Sequence, residues 1–406
     1  MDNMKIIQDG NATSAQGFLA AGVKAGIKES GNYDMALIYS ESPAVAAGAF
    51  TRNAVRAAPV TLSELHVQSD NVQAIIVNSG NANACTGDEG YRNAESMCKL
   101  VAGRLNQDAV LVASTGIIGV QLPMEKINVG IDHVVDALSQ DGTIATKAIM
   151  TTDLTEKNIA VELEIQGKTV IIGGIAKGSG MIHPNMGTML GFITTDIAIE
   201  KSLLQRAFLE SVDESYNMVS VDGDTSTNDT AIILANGLAG NDLITSVTDS
   251  GYAEFVEALR FINQTLAKKI AEDGEGATKL IETNVFGAKT IEDARKVAKS
   301  VIGSSLVKTA IFGGDANWGR ILCAVGYSSA DLQVDKIEIF VKGGDAKIQI
   351  VAHGAGMAFD EALLAEIFSA KQVEIEIYLH NGEAVATAWG CDLSYDYVKI
   401  NADYRT

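Results

Sequence analysis

The stretch KGSGMIHPNMGTMLGFITTD, Lys177 to Asp196, decides how the rest of the chain is read. It gathers Gly, Pro, Asn and Met around Thr188 and then runs apolar from Met189 to Thr194. Two readings stand side by side. In one, the segment is a tight loop entering a buried strand. In the other, Thr188 is a nucleophile. A hydroxyl needs a base beside it, and a chain cut just before a threonine frees an α-amine that serves as one. The reference pKa of that amine, about 7.7–8.0, lies near working pH, where a general base is most effective. Gly187, on the other side of the candidate scissile bond, leaves the carbonyl open to attack.

Working outward, Ile159–Ile165 and Lys168–Ile172 alternate in character around Gln166-Gly167, which predicts a hairpin leading into the motif. The runs Met35–Tyr39, Ala74–Val77 and Val110–Ala113 are bounded by Gly, Asn and Ser and suit buried strands. Amphipathic helices lie between such runs. One spans Tyr252–Ile270, with Phe255, Leu259, Ile262, Leu266 and Ile270 spaced to form an apolar stripe. A second starts at Thr290, with Asp293 answering the cap and Ile291, Ala294, Ala298 and Val301 as its stripe. A third, Ser202–Tyr216, presents Leu204, Phe208 and Val212. The pattern is mixed α/β, several sheets covered by helices. No Gly/Ser/Pro-rich linker, charge block or solenoid repeat divides it.

At roughly 150 residues per domain, 406 residues allow two or three domains, or two halves sharing one core. With 47% apolar and 20% charged residues, 39 Gly and 4 Pro, the chain is neither disordered nor collagen-like. Lys and Arg total 31 against 51 Asp and Glu, a formal charge of −20 that repels phosphate backbones and anionic membranes. Nucleic acid and membrane are therefore not expected as partners. The N-terminus lacks a signal-peptide pattern, and no apolar run reaches about 18 residues. Cys85, Cys98, Cys323 and Cys391 lie far apart without a CxxC, as expected of buried thiols in a reducing compartment. A cytoplasmic protein is expected.

Several chemistries drop out. His66, His133, His183, His353 and His380 never pair at ligand spacing, so no catalytic metal is expected. VDGDTSTNDT, Val221–Thr230, is acid-rich, but Thr227 and Ile233 stand where a calcium loop needs Gly and Glu. Turn and hydrogen-bond chemistry suits it better. GIAKGSG, Gly174–Gly180, breaks the phosphate-loop spacing, and no GxSxG is present.

The segment KGSGMIHPNMGTML closely resembles the self-cleavage and nucleophile motif of the ornithine acetyltransferase family, the bifunctional glutamate N-acetyltransferases of arginine biosynthesis. The resemblance runs the whole length. It includes FTRNAVRAAPV at Phe50–Val60, VNSGNANACTG at Val77–Gly87, ASTGIIG at Ala113–Gly119, DGDTSTND at Asp222–Asp229, DGEGATK at Asp273–Lys279, GGDANWGRI at Gly313–Ile321 and the terminal NADYRT. It implies a four-layer αββα core, layered like the N-terminal-nucleophile hydrolases, with a smaller C-terminal α/β domain from about residue 284. It also implies a cut between Gly187 and Thr188 into chains 1–187 and 188–406, two copies of each assembling together. Thr188 would be the nucleophile, with Thr115 and Gly116 as the oxyanion hole. The substrate-binding positions would be Thr152, Lys177, Thr188, Glu275, Asn401 and Thr406.

The implied reaction moves acetyl from N2-acetyl-L-ornithine to L-glutamate by a ping-pong route, without a cofactor, acetyl-CoA being a second donor in bifunctional members. The residue types suit an N-acetyl amino acid: a cation for its carboxylate, an anion for an amine and neutral groups for the acetamide. Taken singly, Lys177 and Glu275 read as solvated surface charges, Thr115-Gly116 as a strand-ending turn, and Asn401 and Thr406 as part of a loose terminus. Two departures from the family pattern are Gly187, where Ala is usual, and Ala316, where Pro is commoner. His183 is assigned no catalytic role. The same nucleophile, amine and oxyanion hole would also serve an amidohydrolase or aminopeptidase, and a non-enzymatic small-molecule binder is the alternative from a different class.

Overall fold

A computed structural model describes residues 4–183 and 189–403. The first part of the chain contains β1 (Met4–Ile7), β2 (Phe18–Val23), β3 (Met35–Ser40), β4 (Val45–Phe50), α1 (Ala58–His66), β5 (Ala74–Asn81), α2 (Gly87–Leu105), β6 (Val110–Ile117), α3 (Met124–Asp136) and α4 (Thr143–Ile149). The middle contains β7 (Lys157–Ile165), β8 (Lys168–Lys177), β9 (Leu190–Thr195), α5 (Lys201–Asp213), β10 (Val219–Ser220), β11 (Thr230–Ala235), α6 (Tyr252–Glu272) and β12 (Leu280–Ala288). There follow α7 (Ile291–Ile302), α8 (Ser305–Phe312), α9 (Trp318–Gly326), β13 (Glu338–Gly343), β14 (Ala346–Ala352), β15 (Ala355–Gly356), α10 (Glu361–Ser369), β16 (Gln372–Tyr378), β17 (Ala384–Cys391) and α11 (Tyr395–Asp403).

Among the described residues the strands form three sheets, ordered β1-β7-β8-β9-β11-β4, β2-β3-β5-β6 and β10-β17-β12-β16-β13-β14-β15. The first two face each other. Ile232 and Leu234 of β11 and Phe192 of β9 pack inward against Ile38, Ile75, Val77 and Leu111 of the second sheet. Ile233 of β11 and Ile193 of β9 point the other way, toward Phe208 of α5 and Leu259 and Ile262 of α6. On the far side of the second sheet, Leu37 and Ile76 meet Met97 and Val101 of α2 and Ile131 of α3. The result is an αββα sandwich. Its inner strands bury both faces, which explains why AIILA and GFIT read as unbroken apolar runs rather than as alternation. The apolar layer outside the first sheet continues without a break into the third sheet and α7, and that sheet also takes in β10 from the middle of the chain.

Local signals account for many of the boundaries. The β7–β8 hairpin turns at Gln166 and Gly167, both at positive φ, the geometry of a two-residue primed turn. The Thr290 hydroxyl accepts the Asp293 N–H at 3.1 Å and caps α7. In that helix Ile291, expected on the buried stripe, is 48% exposed: it occupies the first turn, ahead of the point where the helix meets β12 and β17. The third expected helix stops at Asp213 and not at Tyr216. Tyr216 instead turns into the core, where its hydroxyl donates to Asn263 Oδ1 at 3.1 Å. Cys98 and Cys391 are buried, whereas Cys85 and Cys323 are exposed, against expectation, because both lie beside solvent-facing positions at a loop and on the outer side of α9. Among the described residues no helix is long and apolar enough to cross a membrane.

Candidate active site

A small solvent-connected cavity of about 100 Å³ opens where one end of the first sheet meets one end of the second. Thr115 and Gly116 reach it from the end of β6, Lys177 from the end of β8, and Met189 and Leu190 from the start of β9. Thr151 and Thr152 follow α4, Asn228 and Asp229 precede β11, Glu275 follows α6, and Asn401 comes from α11. Six positions separated by up to 286 residues in sequence, Thr115, Gly116, Thr152, Lys177, Glu275 and Asn401, thus line one space. The expected positions Gly187, Thr188 and Thr406 lie outside the described residues. Met189, which follows Thr188 in sequence, lines the cavity.

Thr115 and Gly116 sit in a β-bulge, where Asn81 of β5 pairs with both Thr115 and Ile117. A bulge re-aims backbone groups out of the ladder, and such irregularities gather beside active sites. Gly116 has φ 132°, and a Cβ there would strike the Gly80 backbone; only glycine permits this approach. The turn is braced from the second half of the chain. Asn228 Nδ2 donates to the carbonyls of Ala82 at 2.5 Å and Ser114 at 2.9 Å, and the Ser114 hydroxyl donates to Asn78 Oδ1 at 2.6 Å.

The charges at the cavity are buried, not solvated as they read singly. Lys177 is 6% exposed and Glu275 8%, because Lys177 ends β8 where the two sheets close together, and Glu275 is covered by Gly180 and by the helix carrying Asn401. Lys177 Nζ lies 3.8 Å from Asp153 Oδ2. Asp153 also accepts from Lys157 Nζ at 2.8 Å, Gly178 N at 2.7 Å and Thr151 N at 2.9 Å. Lys157 continues to Asp273 at 2.6 Å. Burial alone would raise the Asp153 pKa, but Lys177, then Lys157, together with these hydrogen bonds, hold it well below the usual carboxylate range. Asp153 and Lys157 were not singled out in the sequence. The signal available was a buried-type neighbourhood, an Asp-x-x-x-Lys spacing ahead of an apolar strand, and on an extended segment that spacing has no meaning until the chain folds.

Glu275 lies flat against Gly180, where any Cβ would collide with its carboxyl group. Asn401 Nδ2 donates to Glu275 Oε2 at 2.8 Å. The helix carrying Asn401 is seated by Ser394, whose hydroxyl donates to Gly276 O at 2.6 Å, and by Asp392, which accepts from Thr278 N at 2.7 Å and Lys279 N at 2.9 Å. His183 points elsewhere: Nδ1 is 2.9 Å from Ser220 Oγ. Burial lowers its pKa to about 4, with Lys299 adding to the effect, so the ring is neutral near pH 7. Among the described residues no three His, Cys, Asp or Glu side chains gather as a metal site would require.

Comparison with known proteins places this geometry in context. A family model described as the ArgJ family matches residues 19–406. The arginine biosynthesis bifunctional protein ArgJ 1 of Clostridium acetobutylicum is 53% identical, over 100% of this chain and 100% of that protein. The arginine biosynthesis bifunctional protein ArgJ of Caldanaerobacter subterraneus subsp. tengcongensis is also 53% identical, over 98% of this chain and 100% of its own length. A crystal structure of the arginine biosynthesis bifunctional protein argJ from Bacillus halodurans aligns with a TM-score of 0.50 at 46% identity, covering 52% of this chain and 98% of that one.

Proposed function

The chain belongs to the ArgJ family, and on that premise we propose that it is a self-cleaving acetyltransferase of arginine biosynthesis that carries acetyl from N2-acetyl-L-ornithine to L-glutamate on Thr188. The observation that carries this reading is the meeting of Thr115, Gly116, Thr152, Lys177, Glu275 and Asn401 in one cavity that Met189 also lines. A nucleophile at the residue before Met189 would stand beside oxyanion donors, a cation and an anion, the set that amide transfer between amino acids needs.

In self-cleavage the Thr188 Oγ adds to the Gly187 carbonyl carbon. The Gly187–Thr188 C–N bond breaks, its nitrogen takes up the hydroxyl proton, and an ester joins Gly187 to Oγ. Water then cleaves the ester, leaving a Gly187 carboxylate and restoring the hydroxyl. The freed α-amine becomes the base for transfer. It takes the Oγ proton as Oγ attacks the acetyl carbonyl, the Thr115–Gly116 turn stabilises the oxyanion, and the proton passes to the departing amine of ornithine. The glutamate amine attacks the acetyl ester in turn, the Thr188 α-amine takes its proton and returns it to Oγ as the acyl C–Oγ bond breaks, and N-acetylglutamate leaves. Water must be kept from the ester, or the enzyme becomes a deacetylase. Nucleophile, base and oxyanion donors all belong to the chain, so no resident cofactor is required.

The Bacillus halodurans chain is almost wholly covered by 52% of this one, so it is about half as long, which fits a polypeptide that divides in two. We place the two products in an assembly with two copies of each, in the cytoplasm. Because the relatives are named bifunctional, acetyl-CoA is proposed as a second donor, to be tested with glutamate and acetyl-CoA alone. The central test is Thr188→Ala. It should leave one 406-residue polypeptide by intact mass, with neither transfer nor an acetyl adduct. A variant that stays whole yet transfers acetyl at the normal rate would sink the mechanism.

A further inference from the structure

Residues 184–188 run between two flanks, and both flanks are held by one segment, Val221–Thr230. Upstream, the Asp222 carboxylate accepts from Met181 N at 2.6 Å and Ile182 N at 2.8 Å. Val221 N donates to Ile182 O at 2.7 Å, the Thr225 hydroxyl donates to His183 O at 2.7 Å, and Ile182 and Thr225 form an antiparallel bridge. Downstream, Thr230 N donates to Met189 O at 3.0 Å, after which β9 runs beside β11. The same segment sends Asn228 to the turn that holds Thr115.

Asp222 is the charged member of this clamp. Met181 sits at φ 54°, a conformation that a residue with a Cβ rarely adopts without support, and its N–H is the one Asp222 holds most tightly. Bonds from a carboxylate to backbone N–H groups are stronger than neutral ones. Asp224 N also donates to the same carboxylate, at 3.2 Å. Three backbone N–H groups on one half-buried carboxylate are more than a plain surface turn needs.

We propose that Asp222 is a positioning residue for self-cleavage, which pins Met181–His183 so that the Gly187–Thr188 bond is presented to its own hydroxyl. The proposal rests on the reading that the chain cuts itself. Intramolecular attack depends strongly on how the reacting groups are held, and the bonds of Asp222 and Thr225 fix the backbone up to His183. After the cut, Met181–His183 belong to the first chain and Asp222 and Thr225 to the second, so the same bonds then join the two products.

The test follows the full-length wild type, Asp222→Asn and Thr225→Val by intact mass against time after synthesis, with the unfolding midpoint and transfer kinetics of each cleaved fraction. Asp222→Asn should slow cleavage at least tenfold and Thr225→Val about threefold. Midpoints should stay close to wild type, and KM and kcat of the cleaved fractions should change less than threefold. Both variants cutting at the wild-type rate would overturn the proposal, and if Asp222→Asn does not fold, the Thr225→Val rate decides. A wild type that transfers acetyl while staying whole would instead overturn the self-cleavage reading beneath it.

Discussion

Asn401 donates to Glu275 at 2.8 Å, which ties a helix from the end of the chain to a loop 126 residues earlier and makes the tail one wall of the cavity. Both residues follow Thr188 in sequence, whereas the flank that Asp222 holds precedes it. A chain ending at Ile400 should therefore cut itself within twofold of the normal rate, while its KM for acetylornithine rises about tenfold, the scale of one lost hydrogen bond to a charged group. Steady-state kinetics on the cleaved protein decide it, and an unchanged KM would remove Asn401 and the tail from the binding site.

Gly180→Ala places a methyl group where the Glu275 carboxyl lies. Glu275 must move off the cavity wall, so kcat/KM should drop by about two orders of magnitude, with a stability loss of about 1–3 kcal/mol from overpacking. Gly103→Ala makes a control, since nothing lies near its Cβ position and it sits on the exposed side of α2. Equal activity in the two variants would show that the Glu275 position is unimportant.

Lys157 is fully buried between Asp153 and Asp273. Lys157→Met strands two buried carboxylates and should cost about 3–5 kcal/mol in denaturant unfolding. Asp153 supplies a pH signature. Its folded pKa is depressed, so its contribution is complete above the unfolded value of about 3.9 and fades as pH falls through the folded one. Below about pH 4 the wild type should lose stability more steeply than Asp153→Asn. Parallel curves would contradict the charge network.

Lys28 donates from Nζ to Tyr33 O and Met150 O, both at 2.7 Å, just before Thr151 and Thr152. Burial lowers its pKa to about 8; Asp34 and Asp153 oppose the shift and Lys177 adds to it. Between about pH 8 and the unfolded value near 10.4 the unfolded chain binds more protons, so this residue makes stability rise with pH. Subtracting the curve of Lys28→Met from that of the wild type isolates the effect from other lysines. A flat difference across that window would refute the shift.

Much of this molecule was legible in order along the chain. The α6 stripe, the Thr290 cap and the Gln166-Gly167 turn depend on neighbours within a few residues, and local stereochemistry sets them before any tertiary contact forms. The same local logic failed at Ile291, where the helix starts before its packing partner begins, and at Tyr216, where a buried hydrogen bond to Asn263 outweighs continuing the helix. By itself the sequence determined the mixed α/β class, the acidic balance and, through its ordered motifs, the family and the residue types of the site. Only the tertiary structure decided that Lys177 and Glu275 are buried, that Asp153 and Lys157 stand behind Lys177, that Gly180 makes room for Glu275, and that one segment clamps both flanks of residues 184–188. The physical reason is that burial, electrostatic screening and steric exclusion are properties of a point in space, and the strands meeting at that point come from positions hundreds of residues apart.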